Sequence, residues 1–304
     1  GGGGPLGEGL GGEEMTRPLN RRYDDRVTHG HSATVWQDKR NLDPDHVAAA
    51  RSGFIGKSFS HVEIDDDVDL DEYAQMQGEF LRRFSSREVP QVDLARMEFR
   101  LRKCGRHHAI GVYSPTLNTV VVDPRRPVSL IHEFAHAYDF SHGQLSCSQD
   151  FRAIVSEVSA SLAREDLSQR MYEYAVTPTE VFARSWEVYA STRGFGGSFV
   201  RTPGEYAGDV LYAPLVEMSE KVCDYFDATI PVEERPRPIE ASEREVVERA
   251  AREALAAVSP ESLREPDFTG EGDGARVDEE RWAAAREGQQ FSLFDLAGAN
   301  DCAR

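Results

Sequence analysis

The sequence predicts an α+β fold, mostly helical, with a small antiparallel sheet or hairpin just before one buried helix. Three observations carry this. Leu70, Tyr73, Met76, Phe80, Leu81 and Phe84 recur at helical spacing and form one apolar stripe. Ala109–Tyr113 and Thr119–Val122 are short β-rich runs joined by Ser114-Pro115-Thr116-Leu117-Asn118, which reads as a hairpin. Val128–Tyr138 is apolar almost all round yet holds His132, Glu133 and His136, the mark of a helix that is buried rather than laid on a surface.

The 304-residue chain divides by composition. Residues 1–40 start Gly-rich, turn polar and basic, and read as disordered or linker. Residues 41–230 carry the apolar content of one packed domain, ample for a single core. Residues 231–287 are charged and core-poor, and 288–296 hold a separate short motif.

Within the domain, Leu42–Arg51 is expected as a short helix capped by Asp43, with Pro44 in its first turn. Ser58–Ile64 alternates like a strand, and Asp69–Phe84 is the amphipathic helix already noted. Residues 92–102 fit a strand or a helix equally well. Helices are expected over Ser148–Arg164, over Leu167–Ala175, and from Pro178 to about Ser191, where Gly194-Phe195-Gly196-Gly197 breaks the pattern. Pro214–Phe226 is a last packed helix. Glu240–Val258, rich in Ala, Glu and Arg, is expected to be exposed. Residues 259–277 read as disordered, followed by a short helix over Asp278–Glu287.

A net charge of −18 argues against an extensive surface for the nucleic-acid backbone. The local cluster of Arg102, Lys103, Arg106, His107 and His108 reads as a solvated turn. Cys104, Cys147, Cys223 and Cys302 are scattered with no CxxC pair, which points to a reducing compartment and away from thiolate metal sites. No apolar run approaches the ~20 residues of a membrane span, and no signal-peptide pattern occurs. The expectation is a cytoplasmic protein without a membrane partner.

His132-Glu133-Phe134-Ala135-His136 is an HExxH motif. On a helix its two imidazoles fall on one face, where they can share one Zn²⁺. The intervening Glu133 is placed to take a proton from a water that the metal activates. A third protein ligand is needed, and three candidates follow: His142, Glu157 and Glu180. Glu180 opens a segment with a plausible start at Pro178 and Thr179, where a carboxylate suits the positive end of a helix. Arg184 and Glu187 fall on the same face, and Arg184 can orient a ligating carboxylate or bridge to another acid.

Two segments carry a resemblance. Leu130–Asp139 resembles the HExxHALD segment of zincin-like domains in large polyvalent proteins of phages and conjugative elements. Pro178–Tyr189 resembles their second motif, P-x-E-[MV]-F-A-R-A-F-E-A-Y, with Ser185 and Trp186 where Ala and Phe are usual. The pair is similar to the gluzincin arrangement of the anthrax lethal factor catalytic domain. The resemblance covers about residues 105–195. It implies a zincin-like fold, zinc held by His132, His136 and Glu180, and Glu133 as general base. It also implies an oxyanion-stabilising tyrosine shortly before the third ligand; Tyr172 and Tyr174 both stand there, and Tyr174 is taken as the candidate. Arg184 and Asp139 are expected to support the ligands.

In the tail, Gln290-Phe291-Ser292-Leu293-Phe294 resembles the peptide by which proteins bind the bacterial sliding clamp. The resemblance implies that Gln290 fixes orientation while Leu293 and Phe294 fill an apolar pocket. The expected function is a zinc metalloendopeptidase of a mobile element or its host, acting on a protein or peptide substrate and recruited to replication or repair sites. HExxH with clamp or DNA targeting is also the pairing of the Spartan-type repair proteases, an analogy of function only. A non-catalytic zincin-fold adaptor and a toxin-like effector protease are the alternative expectations.

Overall fold

The computed structural model describes residues 36–39, 42–104 and 109–258. The chain forms two compact units, 1–41 and 42–304. In the first, only 36–39 are described, in a turn. The clamp-like residues Gln290, Leu293 and Phe294, and Arg106, His107 and His108 of the basic cluster, lie outside the described residues.

The second unit is α+β. It opens with α1 (Pro44–Ala50) and α2 (Gly53–Ser58), which lead into β1 (His61–Ile64). Asp43 caps α1 by accepting from the Asp45 amide, with Pro44 in the first turn, as expected. The strand expected to begin at Ser58 starts only at His61, because 53–58 is helical. α3 (Leu70–Ser85) is capped by Asp69, whose carboxylate takes the amides of Asp71 and Glu72. The ambiguous stretch resolves into a 3-10 turn, Leu94–Arg96, and strand β2 (Glu98–Leu101). β3 (Gly111–Ser114) and β4 (Thr119–Val122) form the expected antiparallel hairpin.

The sheet is larger and more mixed than the hairpin expected from sequence. Its order is β1-β2-β4-β3. β1, β2 and β4 run parallel, with Val62 beside Phe99 and Phe99 beside Val120. β3 is the antiparallel edge. Parallel pairing needs a long crossover, and α3 supplies it between β1 and β2.

α4 (Leu130–Ser141) carries the HExxH motif. Phe134 and Tyr138, one turn apart on the same face of α4, each enter an aromatic cluster. Phe134 meets Phe59 and Phe80 at ring centroids of 6.2 and 5.6 Å. Tyr138 meets Trp186 at 5.1 Å, and Trp186 continues to Phe226 at 5.1 Å. Each buried aromatic stabilises the fold by roughly 1.5–3 kcal/mol over an exposed one. These two clusters fix where α4 sits.

Six more helices follow in the chain: α5 (Gln149–Leu162), α6 (Gln169–Ala175), α7 (Pro178–Thr192), α8 (Pro203–Gly208), α9 (Ala213–Glu217) and α10 (Ser219–Thr229). The expected single helix over 214–226 is two helices, parted at Met218. α8 was not legible in sequence; Thr202 and Glu205 form a capping box there. Gly194 and Gly197 have positive φ, which ends α7 where the glycine run predicts. α11 (Ala241–Val258) is not the free exposed helix expected. It packs along α3 and buries Ala251 and Ala254. Among the described residues no helix is long and apolar enough to cross a membrane.

Candidate metal centre

Helical spacing puts His132 and His136 on the same side of α4, and α7 packs against that side. Glu180 in the first turn of α7 faces both rings. The two Nε2 atoms are 3.1 Å apart. One Glu180 oxygen is 3.4 Å from Nε2 of His132 and the other is 3.4 Å from Nε2 of His136. Three ligand atoms from two helices therefore converge on one point. Tetrahedral zinc at about 2.0–2.1 Å from each ligand sets neighbouring ligand atoms about 3.3 Å apart. The donor set and its spacing fit that ion.

The other two candidate ligands stand elsewhere. His142 is exposed at the end of α4, stacked on Tyr138 at 3.9 Å with Nδ1 2.9 Å from the Tyr138 carbonyl. Glu157 is exposed on α5 and pairs with Lys221.

Glu133 stands against the sheet and within electrostatic reach of His132, His136 and Glu180. It lies against Gly111 at the start of β3, so close that a Cβ on Gly111 would stand 2.6 Å from its Oε1. Burial pushes the Glu133 carboxyl up to about 7, against the pull of both imidazoles and with the push of Glu180 and Glu187. Burial would lower His132, yet Glu180 and Glu187 outweigh it and raise it to about 10. Burial would likewise raise Glu180, but the two imidazoles hold it well below the usual carboxylate range.

Tyr174, in α6, comes to the site as expected. Its hydroxyl reaches the Glu180 side chain, and burial followed by the Glu180 charge raises its pKa well above the ordinary phenol value. Tyr172 instead turns to Ser159, 2.8 Å away.

The two expected supporting residues act differently from the sequence reading. The Arg184 guanidinium does not meet the Glu180 carboxylate. It donates to backbone carbonyls: Glu180 at 3.1 Å, Leu211 at 2.9 Å, and Ala175. It thereby ties α6, α7 and the α8–α9 segment together. Asp139 accepts from the Ser146 amide at 2.7 Å and the Ser146 hydroxyl at 2.6 Å, so it fixes the turn after α4, and its charge also acts on His136.

Glu187 takes the part that sequence reasoning missed. Its Oε2 lies 2.9 Å from Nδ1 of His132. The hydroxyls of Tyr206 and Tyr212 donate to the same carboxylate at 3.2 and 2.7 Å. The one sequence signal for Glu187 is its place two turns beyond Glu180; nothing in the sequence announces the tyrosines.

The whole constellation is closed off. His132, Glu133, His136, Glu180 and Tyr174 are each 1–3% exposed. Comparisons of the chain with protein-family models, with curated proteins and with solved structures return no match.

Proposed function

We propose that the protein is a zinc-dependent metallopeptidase of the gluzincin kind, with a zincin-like fold. The observation that carries this is the convergence of His132 Nε2, His136 Nε2 and the Glu180 carboxylate at 3.1–3.4 Å from one another. Those three residues would hold the ion, and three protein ligands leave a fourth position open. When bound, zinc supplies Lewis acidity that polarises a carbonyl and makes a water more acidic.

The chain's own residues supply the rest. Glu133, buried beside both imidazoles, is placed to accept a proton and return it to a leaving amine. Tyr174 can offer its hydroxyl to an oxyanion, once that hydroxyl leaves Glu180. β3 is the edge of the sheet, and an extended peptide can add to such an edge through main-chain hydrogen bonds. The test compares metal content and protein hydrolysis for wild type and Glu133→Gln. The expected result is one zinc per chain in both, with hydrolysis reduced about 10²-fold or more in the variant. Wild-type protein that takes up no zinc sinks the proposal.

A second reading, a zincin-fold binding module without turnover, is favoured by one observation, the burial of all five site residues. In that case wild type binds zinc and hydrolyses nothing.

A further inference from the structure

Two carboxylates on one helix address the two nitrogens of one imidazole. Glu180 faces Nε2 of His132 at 3.4 Å and Glu187 faces Nδ1 at 2.9 Å. Seven residues of α-helix advance about 10 Å and return to within about 20° of the same face. The ring of His132 spans the gap between these two acids on α7. The position one turn after Glu180 cannot supply the second acid, because Arg184 occupies it and turns to backbone carbonyls.

The surroundings of Glu187 are built to keep it in place. It is 1% exposed and accepts from two phenols as well as facing the imidazole. Tyr206 and Tyr212 are themselves 1% and 2% exposed, with rings 5.0 Å apart. Arg201 lies over both rings, at 5.8 and 5.0 Å from the centroids, and is anchored to Asp209 at 2.9 Å. A carboxylate has only acceptors to offer, and both phenols donate to it. Nδ1 of His132 must therefore carry a proton, which in the neutral ring leaves the lone pair on Nε2.

We propose that Glu187, held by Tyr206 and Tyr212, is the positioning residue of the metal centre: it fixes the tautomer and ring plane of His132 so that Nε2 faces the ion. This rests on the zinc reading above. A charged partner behind a ligating histidine also makes it a stronger donor, and loss of such a partner typically costs 10–100-fold in metal affinity.

The experiment uses the full chain and Zn²⁺ itself, with affinity read by competition against a chromophoric chelator. Glu187→Gln keeps the shape and removes the charge; its zinc affinity should fall about 10–100-fold. In the zinc-loaded wild type the His132 Nδ1–H proton should resonate far downfield in the ¹H spectrum, and it should move upfield in Glu187→Gln. Tyr212→Phe keeps the carboxylate and removes one donor; it should lower affinity several-fold, and it serves where Glu187→Gln does not fold. Unchanged zinc affinity with an unmoved Nδ1–H resonance in the variants overturns the role of Glu187 and leaves the zinc reading standing. Wild-type protein that binds no zinc overturns both.

Discussion

At the residue scale, helical spacing alone brings His132 and His136 together, whereas Glu180 was singled out by the resemblance of its segment, the residues alone leaving His142 and Glu157 open beside it. Glu187 was not legible, since its role depends on where His132 sits across a helix pair. Gly111 was not legible either, although it bears directly on Glu133. A Cβ there would stand 2.6 Å from Glu133 Oε1 and 2.7 Å from the Ser129 hydroxyl. That hydroxyl is already committed to the Ile110 carbonyl at 3.0 Å. Gly111→Ala must therefore push the Glu133 carboxylate away. The expected cost is about 1–3 kcal/mol of stability, as for other overpacked sites. Thermal unfolding should show that loss, and hydrolysis should fall while zinc stoichiometry is kept. A variant with the melting temperature and rate of wild type contradicts the geometry.

At the element scale, helix positions were mostly readable from caps and apolar stripes. Asp43, Asp69, Ser148 and Ser168 all cap where a helix was expected. Sheet topology was not readable. β1, β2 and β4 are each four residues long, too short for a pattern to reveal its partner. The parallel β1–β2 pair joins segments separated by all of α3, and the parallel β2–β4 pair skips over β3. The placement of α11 was also missed, because its buried face is made of alanines that composition alone does not distinguish from a solvated helix. Ala251 is 2% exposed, and its carbonyl is 3.6 Å from where a Cβ of Gly78 would be. Ala251→Arg should force the two helices apart and cost about 1–3 kcal/mol. Arg82→Ala, which only breaks the half-exposed pair with Glu248, should cost under about 1 kcal/mol. Chemical denaturation of the two variants checks the contrast; equal losses argue against a packed α3–α11 contact.

At the scale of the whole molecule, the buried charges of the centre couple its protonation to stability. His132 binds its proton more tightly in the fold, with its pKa raised from 6.5 to about 10. The stability it contributes is full below the lower value and is lost as pH rises through the upper one. Glu133, raised from 4.5 to about 7, also favours its protonated form, so it too makes the metal-free protein less stable as pH rises across that window. Zinc needs deprotonated ligands and reverses the trend. The rise in melting temperature on adding zinc should therefore grow from about pH 5 to about pH 9. Melting curves with and without zinc across that range check it, and a zinc shift that does not vary with pH contradicts it.

The two-point grip of α7 on His132 has a consequence for how the protein comes into being. The HExxH helix is complete at Ser141, but Glu180 and Glu187 arrive some forty residues later, and the tyrosines that hold Glu187 later still. A growing or partly folded chain holds both histidines and no cage. Because one helix meets both ring nitrogens, docking of α7 brings both carboxylate contacts together, and the tyrosines then fasten Glu187. Competence to bind the proposed zinc thus comes only once the chain has been made through α7.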